Sequence, residues 1–223
     1  MAGRARKRLE TTHQAGQHVR RENHLIMLTL YIAPGSSSMA PHIALHHVGA
    51  SFDIRVLSFA RGEHREQAYR AINPEGKVPT LIDGEHRLTE VAAILFYIAQ
   101  LHPATGLLPD DPLAQAQALS WMSFAAASIH PAFIAGREQV NDALAQAERR
   151  LAGREWAVGE RLSIADIHLF RLFWRIRHTL DLPLDELPGL MDHYRRMMSL
   201  PSVIKTIEVE QAIGYEVRGL RYP

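Results

Sequence analysis

Residues 73–90, NPEGKVPTLIDGEHRLTE, decide the fold. They read as loop, strand, turn, strand. Asn73-Pro74 and Glu75-Gly76 carry turn chemistry, the apolar run Val78-Pro79-Thr80-Leu81-Ile82 is a short strand, and Asp83-Gly84 is a strong two-residue hairpin signal. Pro79 is the odd residue. It has no N–H to give to a sheet, so it belongs at a strand start, at an edge or in a cis turn. There it would turn Val78 outward, leaving that residue's N–H and C=O to pair with an extended peptide, as in strand addition.

Upstream, Met27–Ile32 is β-rich and almost wholly apolar, which predicts a strand buried on both faces. Pro34-Gly35-Ser36-Ser37-Ser38 breaks it, a helix follows from Met39 to Val48 with Gly49 as its C-cap, and Phe52–Val56 alternates as a second strand. Strand, helix, strand implies a parallel pair. Glu63–Ile72 reads as a short polar helix, and Glu90–Leu101 as a helix apolar nearly all round, buried on several sides. After a linker rich in Pro, Gly and Asp, HPATGLLPDDP, the pattern becomes helical throughout: Leu113–Ile129, Gln139–Leu151, Ser163–Leu180, Leu187–Leu200 and Pro201–Gln211. Ser163 is an N-cap, and Asp166, three positions on, can return to the cap's own N–H.

Three of these stretches together resemble the glutathione transferase superfamily: NPEGKVPTL (73–81), LTLYIAPGSSSMAPHIALHHVG (28–49) and RLTEVAAILFYIA (87–99), in that family's order and spacing. The resemblance runs from Met27 to about Ile207 and is closest to the bacterial beta class. It implies a thioredoxin-like α/β domain over residues 24–103 with a cis-proline at Pro79, an all-helical domain over residues 110–223, and glutathione as co-substrate. The implied reaction is conjugation of the glutathione thiolate to a small hydrophobic electrophile, a detoxification chemistry, by a cytoplasmic homodimer.

A hydroxyl between a strand and the next helix's N-terminus lies beside free N–H groups and the positive end of the helix dipole, a place that stabilises an anion. The resemblance makes that anion glutathione thiolate. A thiol of ordinary pKa, ~8.5, is only a few per cent ionised at neutral pH. A serine hydrogen bond to the thiolate, at ~1.5–3 kcal/mol, together with the dipole lowers it by about one to two units. The beta-class pattern has cysteine at Ser37, whereas serine-type classes place their serine at Ser36, so both remain candidates; Ser38 reads as a helix cap. Glu90 is placed to meet a ligand ammonium, and the helix start at Val91 to meet a carboxylate. The family has Glu-Ser here, so Val91 keeps the backbone N–H and loses the hydroxyl. His130 matches a beta-class histidine that reaches the site from the helical domain. Trp121 and Phe124 share at most a broad helical face with it. The cluster Phe170, Phe173 and Trp174 reads as core, with Trp174 a possible border of the acceptor site.

With 223 residues, 47% hydrophobic and 22% charged, the chain has the composition of a globular protein. It has no cysteine, which excludes disulfides, zinc thiolates and catalysis by a protein thiol. Residues 1–23 read as a disordered basic extension with six Lys/Arg against two Glu, so the body carries 19 bases and 22 acids. A body that is mildly acidic is no template for nucleic acid. No apolar run of the ~18–20 residues that a membrane span needs is read from the sequence. His42 and His46, at i and i+4, have helical metal-pair spacing but lack a third ligand, and read as solvated side chains. Two rival readings use the same scaffold: a glutathione-dependent isomerase or dehalogenase, and a non-enzymatic binding or assembly module.

Overall fold

The computed structural model describes residues 27–222. The expected basic extension, residues 1–23, lies outside the described residues. The sheet is built on β1 (Leu28–Ile32), which pairs in parallel with β2 (Phe52–Val56) across α1 (Met39–His47). On its other side β1 pairs antiparallel with β3 (Thr80–Asp83), and β4 (His86–Thr89) closes the order β2-β1-β3-β4. This is a thioredoxin-like sheet followed by helices, the architecture that the resemblance to the glutathione transferases implies.

β1 is buried on one face only. Leu28, Leu30 and Ile32 enter the core while Thr29 and Tyr31 stay half-buried. The second face is covered thinly, by a short helix α2 (Gln67–Arg70) whose Tyr69 ring lies 5.3 Å from that of Tyr31. The expected helix 63–72 is thus two pieces, a 3-10 turn at Glu63–Arg65 and α2, separated by extended Glu66. The hairpin is also shifted by one residue from the expected turn. Asp83 pairs with His86, so the loop is Gly84–Glu85, with Gly84 at φ +59° where only glycine is relaxed.

Helix α3 (Val91–Leu101) follows, and then α4 (Pro112–Phe124). The helix does not stop at Ile129. A π-helical stretch, Ala125–Ile129, joins α4 to α5 (His130–Ala135). Pro131 cannot donate to the preceding turn, and the ladder widens just before it. The joined run, Pro112–Ala135, is 24 residues long with mean hydropathy 1.3 in its most apolar window, so by length and composition it reaches what a span needs, contrary to the sequence reading. Its buried side, Trp121, Met122, Ala125 and Ile129, belongs to the core.

The remaining helices are α6 (Arg137–Leu151), α7 (Ile164–Arg177), α8 (Pro188–Met198) and α9 (Pro201–Ile213). At the start of α7 the Asp166 carboxylate accepts from the Ser163 N–H at 2.9 Å and from the Ala157 N–H at 2.7 Å, which pins the central helix at its N-terminus. One hydrophobic core runs without a break from β1, α1 and α3 into α4, α7, α8 and α9. The sheet and the helical half are therefore held against each other by apolar burial, and the cleft between them has two well-supported walls.

Candidate active site

Between the sheet's loops and the helices lies a cleft of about 330 Å³. Its first wall is made by Ser37, Val78, Pro79, Glu90 and Val91, and its second by Ala126, His130, Ile134, His168 and Arg171. Six of the seven residues singled out from the sequence line this one space; Ser36 does not.

The loop after β1 is anchored from beneath by α9. Gly35, at φ +75°, donates its N–H to Glu210 Oε2 at 2.7 Å, and the other carboxylate oxygen of Glu210 lies 3.0 Å from His42 Nδ1. A Cβ on Gly35 would stand 2.9 Å from Val217 and 3.0 Å from Tyr215, so glycine is required twice over. His42 is not a solvated side chain: it is 1% exposed, paired with Glu210 and edge-on to Phe52. His46 lies 4.9 Å from it, ring to ring, and burial holds its pKa down at about 4. Among the described residues no group of three or more His, Cys, Asp or Glu could hold a metal.

Within this anchored loop the three serines diverge. Ser38 is fully buried and does not cap α1; its hydroxyl donates to the Ala33 C=O at 3.2 Å and accepts from the Ala33 N–H at 3.1 Å, closing the loop. The Ser36 hydroxyl turns to Ser38, 2.9 Å from its Oγ, and accepts its N–H at 3.3 Å. Ser37 faces the cleft and makes no hydrogen bond with its hydroxyl among the described residues.

The Val78–Pro79 peptide is cis, and neither the N–H nor the C=O of Val78 has a hydrogen-bond partner among the described residues. The turn that presents it is held from behind: the Lys77 C=O accepts from Tyr69 Oη at 2.6 Å and from Asn73 Nδ2 at 2.8 Å, and both side chains also reach the Thr80 hydroxyl. Glu90 sits at φ +67°, ψ +126°, a conformation costly for any residue but glycine, which is commonest where a site demands it. The first bond of α3 runs from the Ile94 N–H to the Glu90 C=O at 3.0 Å. The N–H groups of Val91, Ala92 and Ala93 therefore have no intrahelical acceptor, and they end the helix beside the cleft.

The helical wall is different in kind. His130 has a lowered pKa, first from burial and then from the positive charge of Arg171. His168 is 3% exposed with neither ring nitrogen partnered, and its pKa is pushed well below the usual value by burial, Arg171 and His130. Arg171, also 3% exposed, has an unpartnered Nε and makes no hydrogen bond or ion pair among the described residues; burial and Arg175 lower its pKa to about 9. Trp174 is fully buried against Tyr215 and Tyr222 and does not border the cleft. Trp121 gives its indole N–H to the Ala157 C=O at 3.0 Å and stacks edge-on with Phe124 elsewhere in the core.

Sequence reasoning missed His168 and Arg171. Their signal was available as two polar residues three apart, with Arg175 four further on, in a helix whose only other polar side chains are Asp166 at its start and Arg177 at its end. A base in a wholly buried helix needs a reason.

The chain matches the family models for the glutathione S-transferase N-terminal domain over residues 27–100 and C-terminal domain over residues 127–201. It is 29% identical over 204 residues to glutathione S-transferase GST-4.5 of Xanthomonas campestris, covering 82% of this chain and 98% of that protein. It is 31% identical over 156 residues to maleylacetoacetate isomerase of Pseudomonas aeruginosa, covering 60% of this chain and 74% of that one. Among solved structures, a sphingomonad glutathione S-transferase complexed with glutathione superposes with a TM-score of 0.74 at 34% identity, covering 82% of this chain and 98% of the other.

Proposed function

The chain belongs to the glutathione S-transferase family, and we propose that its cleft binds glutathione, holds the thiol as thiolate and transfers the sulfur to a small electrophile. Glutathione is the co-substrate. The free N–H and C=O of Val78 pair with the cysteinyl backbone of an extended tripeptide. Glu90 takes the γ-glutamyl ammonium, and the open N–H groups at Val91 and Ala92 take its carboxylate. That pairing delivers the sulfur to Ser37, whose unengaged hydroxyl donates to it. The sulfur then attacks the electrophilic carbon; a C–S bond forms and the leaving group departs with its electron pair. The thiol proton has already gone to solvent on binding, and His130, kept neutral at pH 7, flanks the acceptor side.

The observation that carries this reading is the convergence of Ser37, Val78, Pro79, Glu90, Val91 and His130 from four separate stretches of chain onto one cleft. Ser37, rather than Ser36, is the thiolate donor in this reading, since the Ser36 hydroxyl is committed to Ser38. With serine where the beta class has cysteine, mixed-disulfide chemistry falls away. We take residues 24–103 and 110–223 as the two domains, and a cytoplasmic homodimer as the working assembly, on the family resemblance.

The test is calorimetric titration with glutathione in buffers of different ionisation enthalpy. Proton release near neutral pH is expected in the wild type. It should fall in Ser37→Ala, with binding retained and kcat/KM lowered by about 10- to 100-fold, the equivalent of one to two pKa units. Ser36→Ala should keep both release and turnover. Undiminished release and turnover in Ser37→Ala would remove the serine from the mechanism. A second reading, glutathione-dependent isomerisation, is favoured by the similarity to the Pseudomonas isomerase; it uses the same thiolate and differs in releasing glutathione unchanged.

A further inference from the structure

The side chains that α7 sends to the cleft are bases, and nothing among the described residues neutralises them. His168 and Arg171 stand three residues apart on one face of a buried helix, each 3% exposed; both ring nitrogens of His168 and the Nε of Arg171 are sealed and have no partner among the described residues. The charges acting on them are other bases: Arg175 acts on Arg171, while Arg171 and His130 act on His168. Arg175, one turn on, is already engaged, giving a hydrogen bond to the Arg218 C=O at 2.5 Å and lying over the Phe133 ring. Arg171 has no such occupation among the described residues, and it lines the cleft.

A guanidinium kept buried and unpaired is unfavourable for folding, and the cost is recovered only when an anion arrives. Its planar fork fits a carboxylate through two parallel N–H donors, and a neutral imidazole beside it supplies one more N–H. Apart from the imidazole of His130, the remainder of this wall is apolar, Ala126 and Ile134. It therefore offers a surface for a carbon skeleton with a single anionic anchor at one end. We propose that Arg171, with His168, binds the carboxylate of the acceptor substrate, so that the electrophile this protein takes is an organic acid and not merely a hydrophobic molecule. The proposal rests on the transferase reading above. In the transferase reading the γ-glutamyl carboxylate is served from the opposite wall, by the start of α3; Lys77, which also lines the cleft beside Val78, is paired with Glu75 at 3.0 Å.

The test uses an isosteric pair, 4-chloro-3-nitrobenzoate and 4-chloro-3-nitrobenzamide, which differ in charge and little in shape. In both the glutathione sulfur bonds to the ring carbon bearing chlorine, and chloride leaves with the bonding pair. Each kcat/KM is divided by the uncatalysed rate of the same acceptor with glutathione, since the carboxamide activates the ring more than the carboxylate does. On that scale the wild type should prefer the benzoate by about 10-fold or more, as a charge-assisted hydrogen bond implies. Arg171→Met should abolish that preference by losing benzoate activity about 10- to 100-fold, with the benzamide changed less than threefold, and Arg171→Lys should restore part of it. Equal losses on both acceptors, or an unchanged preference, would overturn the proposal. A weakened Kd for glutathione with the preference intact would give Arg171 to the glycyl carboxylate instead, and also overturn it. Calorimetric binding of 3-nitrobenzoate against 3-nitrobenzamide, with and without glutathione, separates the two levels of the argument. Arg171-dependent benzoate binding in a protein that fails to bind glutathione would sink the transferase reading alone. Glutathione turnover without a carboxylate preference would sink this proposal alone.

Discussion

The two walls of the cleft face the same space and are built on opposite principles. On the sheet side nearly every buried polar group has a partner: Gly35 and His42 meet Glu210, Lys77 meets Tyr69 and Asn73, and Ser38 meets Ala33. What is left open there is backbone, at Val78 and at the start of α3, together with the one hydroxyl of Ser37. On the helical side the open groups are side chains, His168 and Arg171, and they are buried without partners among the described residues. The first wall is preorganised for one peptide-like ligand whatever the acceptor. The second stores an unmet charge that only the right acceptor relieves. Preorganisation of this first kind stabilises the free protein, and a reserved charge of the second kind destabilises it.

Removing Glu210 should give the largest effect. Glu210→Ala leaves the Gly35 N–H and His42 buried without an acceptor, and loss of one member of a buried pair costs about 3–5 kcal/mol. That is a large part of a typical folding free energy of about 5–15 kcal/mol, so urea denaturation should show it directly. Glu210→Gln, which keeps an acceptor for one of the two, should cost less. A small loss in the alanine variant would mean that the loop is held by packing from Tyr215 and Val217 instead.

Next comes Glu90→Gln. It retains shape and the strained backbone while removing the charge offered to a ligand ammonium. Glutathione affinity should fall about 10- to 100-fold, the scale of a charge-assisted hydrogen bond, with Tm unchanged. An unchanged Kd would empty the ammonium assignment.

Arg171→Met inverts the usual direction and so tests the contrast itself. Because the guanidinium is buried and unpaired, its removal should raise the stability of the ligand-free protein, by about 1–2 kcal/mol. The same imbalance has a pH signature. Groups whose folded pKa lies below the unfolded value bind fewer protons when folded, so stability rises with pH between the two values. Arg171, lowered from the usual guanidinium range to about 9, therefore favours folding more as pH climbs above that value. His46 and His178, both lowered from 6.5 to about 4, contribute stability that is complete above pH 6.5 and is lost as pH falls towards 4. Thermal melts across pH 4–7 should thus decline on the acid side, and a flat profile would contradict the burial of these rings.

The contrast also explains what could be read from the chain before its structure. The sheet wall is made of local signals. Turn chemistry at Asn73-Pro74, Pro79 at a strand mouth, and serines at a strand-to-helix junction all declare themselves within a few residues, and the domain order follows from where strand patterns give way to helical ones. Details set by register or by distant partners did not declare themselves. The hairpin slipped one residue because Asp83 pairs with His86, and Ser36 parted from Ser37 because Ser38 closes back on Ala33. His42 was misjudged as solvated because its partner, Glu210, lies 168 residues away. Arg171 escaped because α7 reads as a core helix; its polar positions stand out in the sequence, but that its base is unmet among the described residues depends on the packing of other elements around it.

The smallest expected effect concerns the one place where the sheet wall itself falls short. The family's pattern at the start of α3 is Glu-Ser, and here Val91 supplies only its N–H. Val91 is 8% exposed and packs into the core cluster, so a serine there would trade some apolar burial for a hydroxyl at the helix start. A neutral hydrogen bond contributes about 0.5–1.5 kcal/mol, so Val91→Ser should tighten glutathione binding by about 2- to 10-fold. Lost burial should lower stability by about 1 kcal/mol. If affinity rises and the benzoate-to-benzamide preference stays fixed, the two walls act independently, one binding the common co-substrate and the other choosing its acceptor. If the preference moves as well, the bound tripeptide itself completes the anionic subsite, and the division between the walls is less sharp than their hydrogen bonding makes it.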